Sequence, residues 1–214
     1  PKKEFLEGLR KLCTKHGALL IFDEVITGFR LGIDGAQGYY GVQPDLTTFG
    51  KIIGAGMPVG AYGGKKEIMR CVSPVGNVYQ AGTLSGNPVA MAAGITQLTI
   101  LRDHPEIYKE LNEKGDWFFK EMEKAVRDSK KQWQVNHVGS LGCIFFTDQP
   151  VTDYASAKTS DTARFANYFQ YMLDHCIHLG PSQFEAMFLS AAHTEEELQK
   201  TLDIIREYME TEER

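Results

Sequence analysis

Three stretches of the sequence carry residue types at spacings that could do chemistry. The first is Leu19-Leu20-Ile21-Phe22-Asp23-Glu24, an apolar run that ends in two carboxylates. At the C-terminal end of a strand, such a pair suits two chemistries. One is the magnesium site of a nucleotide-hydrolysing Walker B strand, and the other is a carboxylate that faces a cofactor. A strand that simply ends in polar residues at the surface gives the same letters. The Walker reading needs a phosphate loop of the form GxxxxGK[ST]. Gly50-Lys51 is followed by Ile52, and Asp45 stands where the first glycine is required, so the chain gives that reading no support.

The second stretch is Gly50-Lys51-Ile52-Ile53-Gly54-Ala55-Gly56, which follows the apolar segment Leu46 to Phe49. A lysine set among small residues can be held in a pocket where burial lowers its pKa. It then becomes a nucleophile toward aldehydes, the basis of Schiff-base chemistry. A solvated surface lysine is the other reading. The flanking glycines favour the first, because so permissive a backbone lets another group approach closely. The third stretch is Gln80-Ala81-Gly82-Thr83-Leu84-Ser85-Gly86-Asn87-Pro88, small and hydroxyl residues ahead of a helix start. This suits an anion such as phosphate at a helix N-terminus, or is a simple capped helix.

The elements that must position these residues can be read from periodicity. Residues 2–16 place Phe5, Leu6, Leu9, Leu12 and Cys13 at helical spacing, and Gly17 stands at the C-cap position. The short run 18–22 then predicts a parallel strand buried on both faces. Ligands of open α/β sheets sit at the C-terminal ends of such strands. Short strands are expected at Leu46–Phe49 and Val59–Tyr62. Asn87-Pro88 starts a helix that runs to about Arg102.

His104-Pro105 breaks the chain, glycine then becomes sparse, and Lys and Glu become frequent. We place a boundary there, giving 1–104 and 105–214. The second part predicts a helix over 106–128, an antiparallel hairpin of Trp133–Val138 and Leu141–Phe146 around Gly139-Ser140, and helices over 161–178 and 194–210, a small α+β domain. The fold class is α/β.

Composition narrows the function. The 214 residues are 43% hydrophobic and 24% charged, as in ordinary globular proteins. A net charge of −5 argues against a nucleic-acid module. The longest apolar run is too short to span a bilayer. The four cysteines, Cys13, Cys71, Cys143 and Cys176, form no CxxC pair and read as reduced thiols of a cytoplasmic protein. Cys71 and Cys143 are expected as small core residues. His175-Cys176-x-His178 falls at a helix end with no fourth metal ligand nearby, so no metal site is expected. Lys124 to Lys131 reads as a solvated helix end. The chain opens on Pro1, and we expect it to be the later part of something longer.

Taken together, Leu20-Ile21-Phe22-Asp23-Glu24-Val25-x-x-Gly28-Phe29-Arg30, then Pro44-Asp45-Leu46, then Gly50-Lys51, resembles the signature of class III aminotransferases, which depend on pyridoxal phosphate. Further stretches resemble an aminomutase branch of that family. These are Gly35-Ala36-Gln37, Tyr39-Tyr40-Gly41-Val42, Gly56-Met57-Pro58-Val59-Gly60, Tyr79 to Pro88, and Pro181-Ser182-Gln183-Phe184-Glu185-Ala186. The resemblance covers nearly the whole chain and corresponds to the later half of the family's chain. It implies a fold-type I transferase, with 1–104 in the large cofactor domain and 105–214 as the C-terminal small domain. It also implies that Lys51 bonds the cofactor and shuttles a proton, and that Asp23 pairs with the pyridine nitrogen. Gly82 and Thr83 would bind the phosphate, Thr83 from the neighbouring subunit of a homodimer. Tyr79 and Gln80 would line the pocket. Many class III aminotransferases carry an arginine where this chain has Glu185. An acidic group there would repel a second dicarboxylate and suit an amino group moved within one molecule.

Overall fold

The structure, a computed structural model, describes residues 1–212. The chain divides into two compact units, Pro1–Tyr108 and the residues from Lys109 onward.

In the first unit, α1 (Lys3–His16) ends at Gly17, whose left-handed φ of 65° lets its N–H reach the Cys13 carbonyl. There follow β1 (Ile21–Asp23), α2 (Gly35–Tyr40), β2 (Leu46–Phe49), a 3-10 turn (Lys51–Gly54), β3 (Ala61–Gly64), α3 (Lys66–Met69) and α4 (Pro88–Asp103). The sheet order is β1-β2-β3. β1 and β2 run parallel with Ile21 opposite Leu46 and Asp23 opposite Thr48. β3 returns antiparallel, with Ala61 opposite Phe49. A parallel pair needs a crossover, and the segment holding α2 supplies it.

Leu6 of α1, Leu20, Phe22 and Val42 form the buried cluster under the sheet. The expectation that β1 is buried on both faces does not hold here. Leu20 and Phe22 face this cluster, but Leu19 and Ile21 are 54% and 56% exposed. α1 covers one face of the strand, and the face bearing Ile21 and Asp23 stays open. β3 also begins two residues later than expected, because its ladder starts where Ala61 meets Phe49, the last residue of β2, and it runs on through Gly63 and Gly64 despite their poor strand propensity.

The second unit is built on α5 (Glu106–Ser129), which begins in the first unit, β4 (Gln134–Val138), β5 (Leu141–Phe145), α6 (Tyr154–Ala157), α7 (Thr162–Asp174), β6 (Met187–Phe188) and α8 (Glu195–Thr211). Its three strands are all antiparallel in the order β4-β5-β6. Phe118, Phe119, Met122, Trp133, Phe146, Tyr168, Met172, Leu202 and Ile205 make its core. Thr194 and Glu197 close a reciprocal capping box at the start of α8. At its end Glu212 accepts from Nε and Nη2 of Arg164 (2.9 and 3.0 Å) and from the Trp133 indole N–H (3.1 Å). Lys131 also bonds Glu212, so it is a tied residue rather than a solvated one. Charge pairing at the α8 terminus overrides the solvated reading there.

Of the two cysteines expected in the core, Cys143 is half-buried, and burial pushes its thiol up to about 11. Cys71 is exposed. It follows the short α3 in a stretch with no core cluster around it.

Candidate active site

The end of β1 splits two adjacent carboxylates. Asp23 is exposed, and its Oδ1 accepts from the Val25 N–H (3.0 Å) and the Thr48 hydroxyl (3.3 Å). Its Oδ2 receives no hydrogen bond among the described residues. Glu24 is 1% exposed. Its carboxylate accepts from the Ala36 and Gln37 N–H groups (2.6 and 3.0 Å), the Gln37 side-chain amide (3.2 Å) and the Thr27 hydroxyl (3.0 Å). It therefore caps α2, where the helix leaves N–H groups unpaired. Gly35 permits this: its φ is +59°, and a Cβ there would stand 2.1 Å from Glu24 Oε2. Glu24 is thus a structural anchor, while Asp23 is the carboxylate open to a ligand.

Lys51 lies three residues beyond Thr48, the strand partner of Asp23. The register therefore sets Asp23 and Lys51 at the C-terminal ends of neighbouring parallel strands, where α/β folds bind ligands. The Lys51 φ of 47° falls in the left-handed region, which costs a residue with a Cβ roughly 1–2 kcal/mol. The backbone around it is closely packed. A Val25 methyl lies 3.1 Å from where a Cβ on Gly50 would stand, and Gly94 of α4 has no Cβ where one would meet the Ile53 carbonyl at 2.3 Å. Strain of this kind gathers at functional sites. The expected burial of Lys51 is not seen: the side chain is exposed. The glycines that free the backbone carry nothing to cover the amine, and the buried Ile53 and Gly54 lie within the turn.

The loop ahead of α4 leaves Tyr79, Gln80, Gly82 and Thr83 exposed. Ser85 N–H bonds the Gly82 carbonyl (2.9 Å), which turns the chain. The first N–H groups of α4 are already satisfied, because Asn87 Oδ1 accepts from Val89 and Ala90 (both 3.1 Å). The helix start is therefore a capped one, and an anion would meet the Gly82–Thr83 turn instead. Among the described residues the Thr83 hydroxyl makes no hydrogen bond.

Asp45, at the start of β2, is buried and fixes the strand that delivers Lys51. Its Oδ2 accepts from the Leu20 N–H and Arg10 (2.7 Å each), and Lys65 meets Oδ1 at 2.5 Å. The Leu20 amide, then Lys65, then Arg10 hold this carboxyl well below the usual range.

Glu185 belongs to the second unit and is exposed. Its Oε2 lies 2.6 Å from where a Cβ on Gly180 would stand. With Cys143, Tyr168 and Gly180 it lines a small cavity of about 20 Å³. His175 Nδ1 donates to the Tyr171 carbonyl (2.7 Å), and the ring stacks on that of Tyr171. Among the described residues no three His, Cys, Asp or Glu side chains converge as a metal site.

Sequence reasoning named Asp23 and Lys51 but missed Thr48 and the anchoring role of Glu24. Strand register is the signal for Thr48, and it becomes visible only once β1 and β2 are paired.

A lysine and an open carboxylate stand on neighbouring strand ends of an α/β unit that is followed in the chain by a small α+β unit. Residues 1–209 match the aminotransferase class-III family, and the chain belongs to it. It is 64% identical over 211 residues to glutamate-1-semialdehyde 2,1-aminomutase 1 of Lachnoclostridium phytofermentans, covering 99% of this chain and 49% of that protein. It is 57% identical to the glutamate-1-semialdehyde 2,1-aminomutase of Sulfurihydrogenibium azorense, covering 97% and 48%. Among solved structures it resembles an omega-transaminase from Sphaerobacter thermophilus, with a TM-score of 0.87, 31% identity, and 98% and 48% coverage. The chain spans about half the length of the curated relatives it matches.

Proposed function

We propose that the protein carrying this chain is a pyridoxal 5'-phosphate-dependent aminomutase. It converts glutamate-1-semialdehyde to 5-aminolevulinate, a step of tetrapyrrole (porphyrin) biosynthesis. The observation that carries this reading is the placement of Asp23 and Lys51 at the ends of two neighbouring parallel strands. The likeness to aminomutases at 57–64% identity supports the choice of substrate.

The residues fit the cofactor. It needs an amine for its aldehyde, an anionic acceptor for its ring nitrogen and donors for its phosphate. Lys51 supplies the first, and the donor-free Asp23 Oδ2 the second. The unpartnered Thr83 hydroxyl, beside Gly82, supplies part of the third. When bound, in its pyridoxal or pyridoxamine form, the group supplies an electron sink that stabilises negative charge on a substrate carbon.

The chain's own groups do the rest. Lys51 would hold the cofactor by condensing its amine with the aldehyde, with loss of water. The same amine, when free, would serve as the general acid and base that carries a proton at the reacting carbon. Asp23 accepts the hydrogen bond of the protonated ring nitrogen and keeps that proton in place. Gly82 and Thr83 hold the phosphate, with Thr83 reaching the site of the other subunit in a homodimer. Tyr79 and Gln80 line the pocket. Glu185 disfavours a second dicarboxylate, which keeps the amino group within one molecule. Residues 1–104 serve as the cofactor-binding part and 105–214 as the small domain, in a cytoplasmic enzyme whose cysteines stay free.

The test is to give the full-length protein glutamate-1-semialdehyde with no added amino donor or acceptor. Formation of 5-aminolevulinate supports the reading. A strict need for an added oxo acid would make it an intermolecular transaminase instead.

A further inference from the structure

We infer that Thr48 is a positioning residue that aims Asp23 at the cofactor ring. The inference rests on the proposed function, in which Asp23 holds the ring nitrogen. Register places Thr48 opposite Asp23. Strand alternation turns Thr47 into the core, where it is 6% exposed, and Thr48 to the open face with Asp23. The Thr48 carbonyl accepts the Glu24 N–H at 3.0 Å, which pins its backbone to the end of β1. Its hydroxyl donates to Asp23 Oδ1 at 3.3 Å, and the Val25 N–H donates to the same oxygen at 3.0 Å.

Both donors fall on one oxygen of an exposed carboxylate. An exposed aspartate otherwise turns about its terminal bond with little cost. Two donors on Oδ1 fix that rotation and leave Oδ2 as the oxygen offered to a ligand. β-branching limits Thr48 itself to few rotamers, so the donor is preset. Preset groups that meet charge at the reacting centre need no rearrangement during the reaction.

The test uses the full-length protein loaded with pyridoxal 5'-phosphate. Thr48→Val keeps the branched shape and drops the hydroxyl, while Thr48→Ser keeps the hydroxyl. We expect Thr48→Val to lower kcat about tenfold, or about 1.4 kcal/mol, with KM changed less than twofold. We expect it also to shift the pH dependence of the cofactor's visible absorption band. Thr48→Ser should keep most of the turnover and the parent spectrum. Thr48→Ala serves the same comparison should Val disturb the strand. Asp23→Asn is the control. If it moves both readouts while the Thr48 variants lacking the hydroxyl move neither, Thr48 does not position Asp23. If Asp23→Asn itself leaves spectrum and turnover unchanged, the ring-nitrogen role is wrong and the inference falls with it.

Discussion

Asp23 and Glu24 are neighbours in sequence and opposites in environment. Asp23 is open, with one oxygen held by Val25 and Thr48, while Glu24 is sealed beneath α2 by four donors. With Asp23 in its proposed role at the cofactor ring, the dipeptide would divide chemistry from architecture, and substitution should separate the two. Asp23→Asn in the full-length protein should abolish most turnover while leaving the melting temperature near that of the parent. Glu24→Gln sets an amide N–H₂ among donors and should cost about 1–3 kcal/mol of stability. Thermal melts and turnover on both variants decide this. A large melting loss for Asp23→Asn, or none for Glu24→Gln, contradicts the assignment.

The left-handed backbone at Lys51 gives a second prediction. Borohydride reduction of the cofactor-loaded full-length protein, followed by peptide mapping, should place the label on Lys51 and on no other lysine. Independently of the cofactor, Lys51→Gly should melt above Lys51→Ala. Glycine adopts a φ near +47° freely, whereas alanine carries the Cβ penalty of roughly 1–2 kcal/mol. Equal melting temperatures would mean that Lys51 is not held in this conformation.

The buried Asp45 should make stability depend on acid. Its folded-state pKa is depressed below the ordinary 3.8. Above that value the carboxyl is ionised both folded and unfolded, and the stabilisation by the Leu20 amide, Lys65 and Arg10 is fully present. As pH falls below it, the unfolded state binds the proton first, and the stabilisation is lost progressively toward the folded pKa. Asp45→Asn should therefore melt well below the parent at pH 7, and the gap should narrow below about pH 4. A gap independent of pH would show that charge at Asp45 is not what matters.

Much of this was legible beforehand because local signals were strong. Gly17, Asn87-Pro88 and the alternating hairpin around Gly139 each mark an element end by a residue that few other contexts favour. Asp23 and Lys51 stood out by type and spacing. The environment of each did not, because burial depends on what covers a residue. Lys51 and Ile21 are exposed although their sequence surroundings read as enclosed. Glu24 gave no sign of its role, since its partners Ala36 and Gln37 lie twelve and thirteen residues on. Thr48 acts through a register that no single segment encodes. Charge partners far along the chain, such as Glu212 for Arg164 and Lys131, were likewise invisible to a local reading.

The unpartnered hydroxyl of Thr83 leads to the last prediction. Among the described residues the N–H groups of Val89, Ala90 and Met91 at the head of α4 are all taken by Asn87, so the helix end offers a phosphate no free donor. Among the described residues nothing accepts from the Gly82 and Thr83 donors, and the Thr83 side chain is exposed. In the proposed homodimer, Thr83 serves the partner's site, so each working site needs Lys51 from one subunit and Thr83 from the other. Thr83→Ala removes a hydrogen bond to a charged group, worth about 1.5–3 kcal/mol, and should weaken cofactor binding roughly tenfold to a hundredfold. Lys51→Ala should remove turnover altogether. Co-expression of the two variants then gives hybrids with one site bearing both lesions and one bearing neither. In the purified hybrid one site of two is intact, so about half of the parent activity should return. If Thr83 acts within its own subunit, every site in the hybrid carries one lesion and activity stays at the level of the separate variants. Measuring turnover of the purified hybrid, with each subunit carrying a different tag, distinguishes the two arrangements directly.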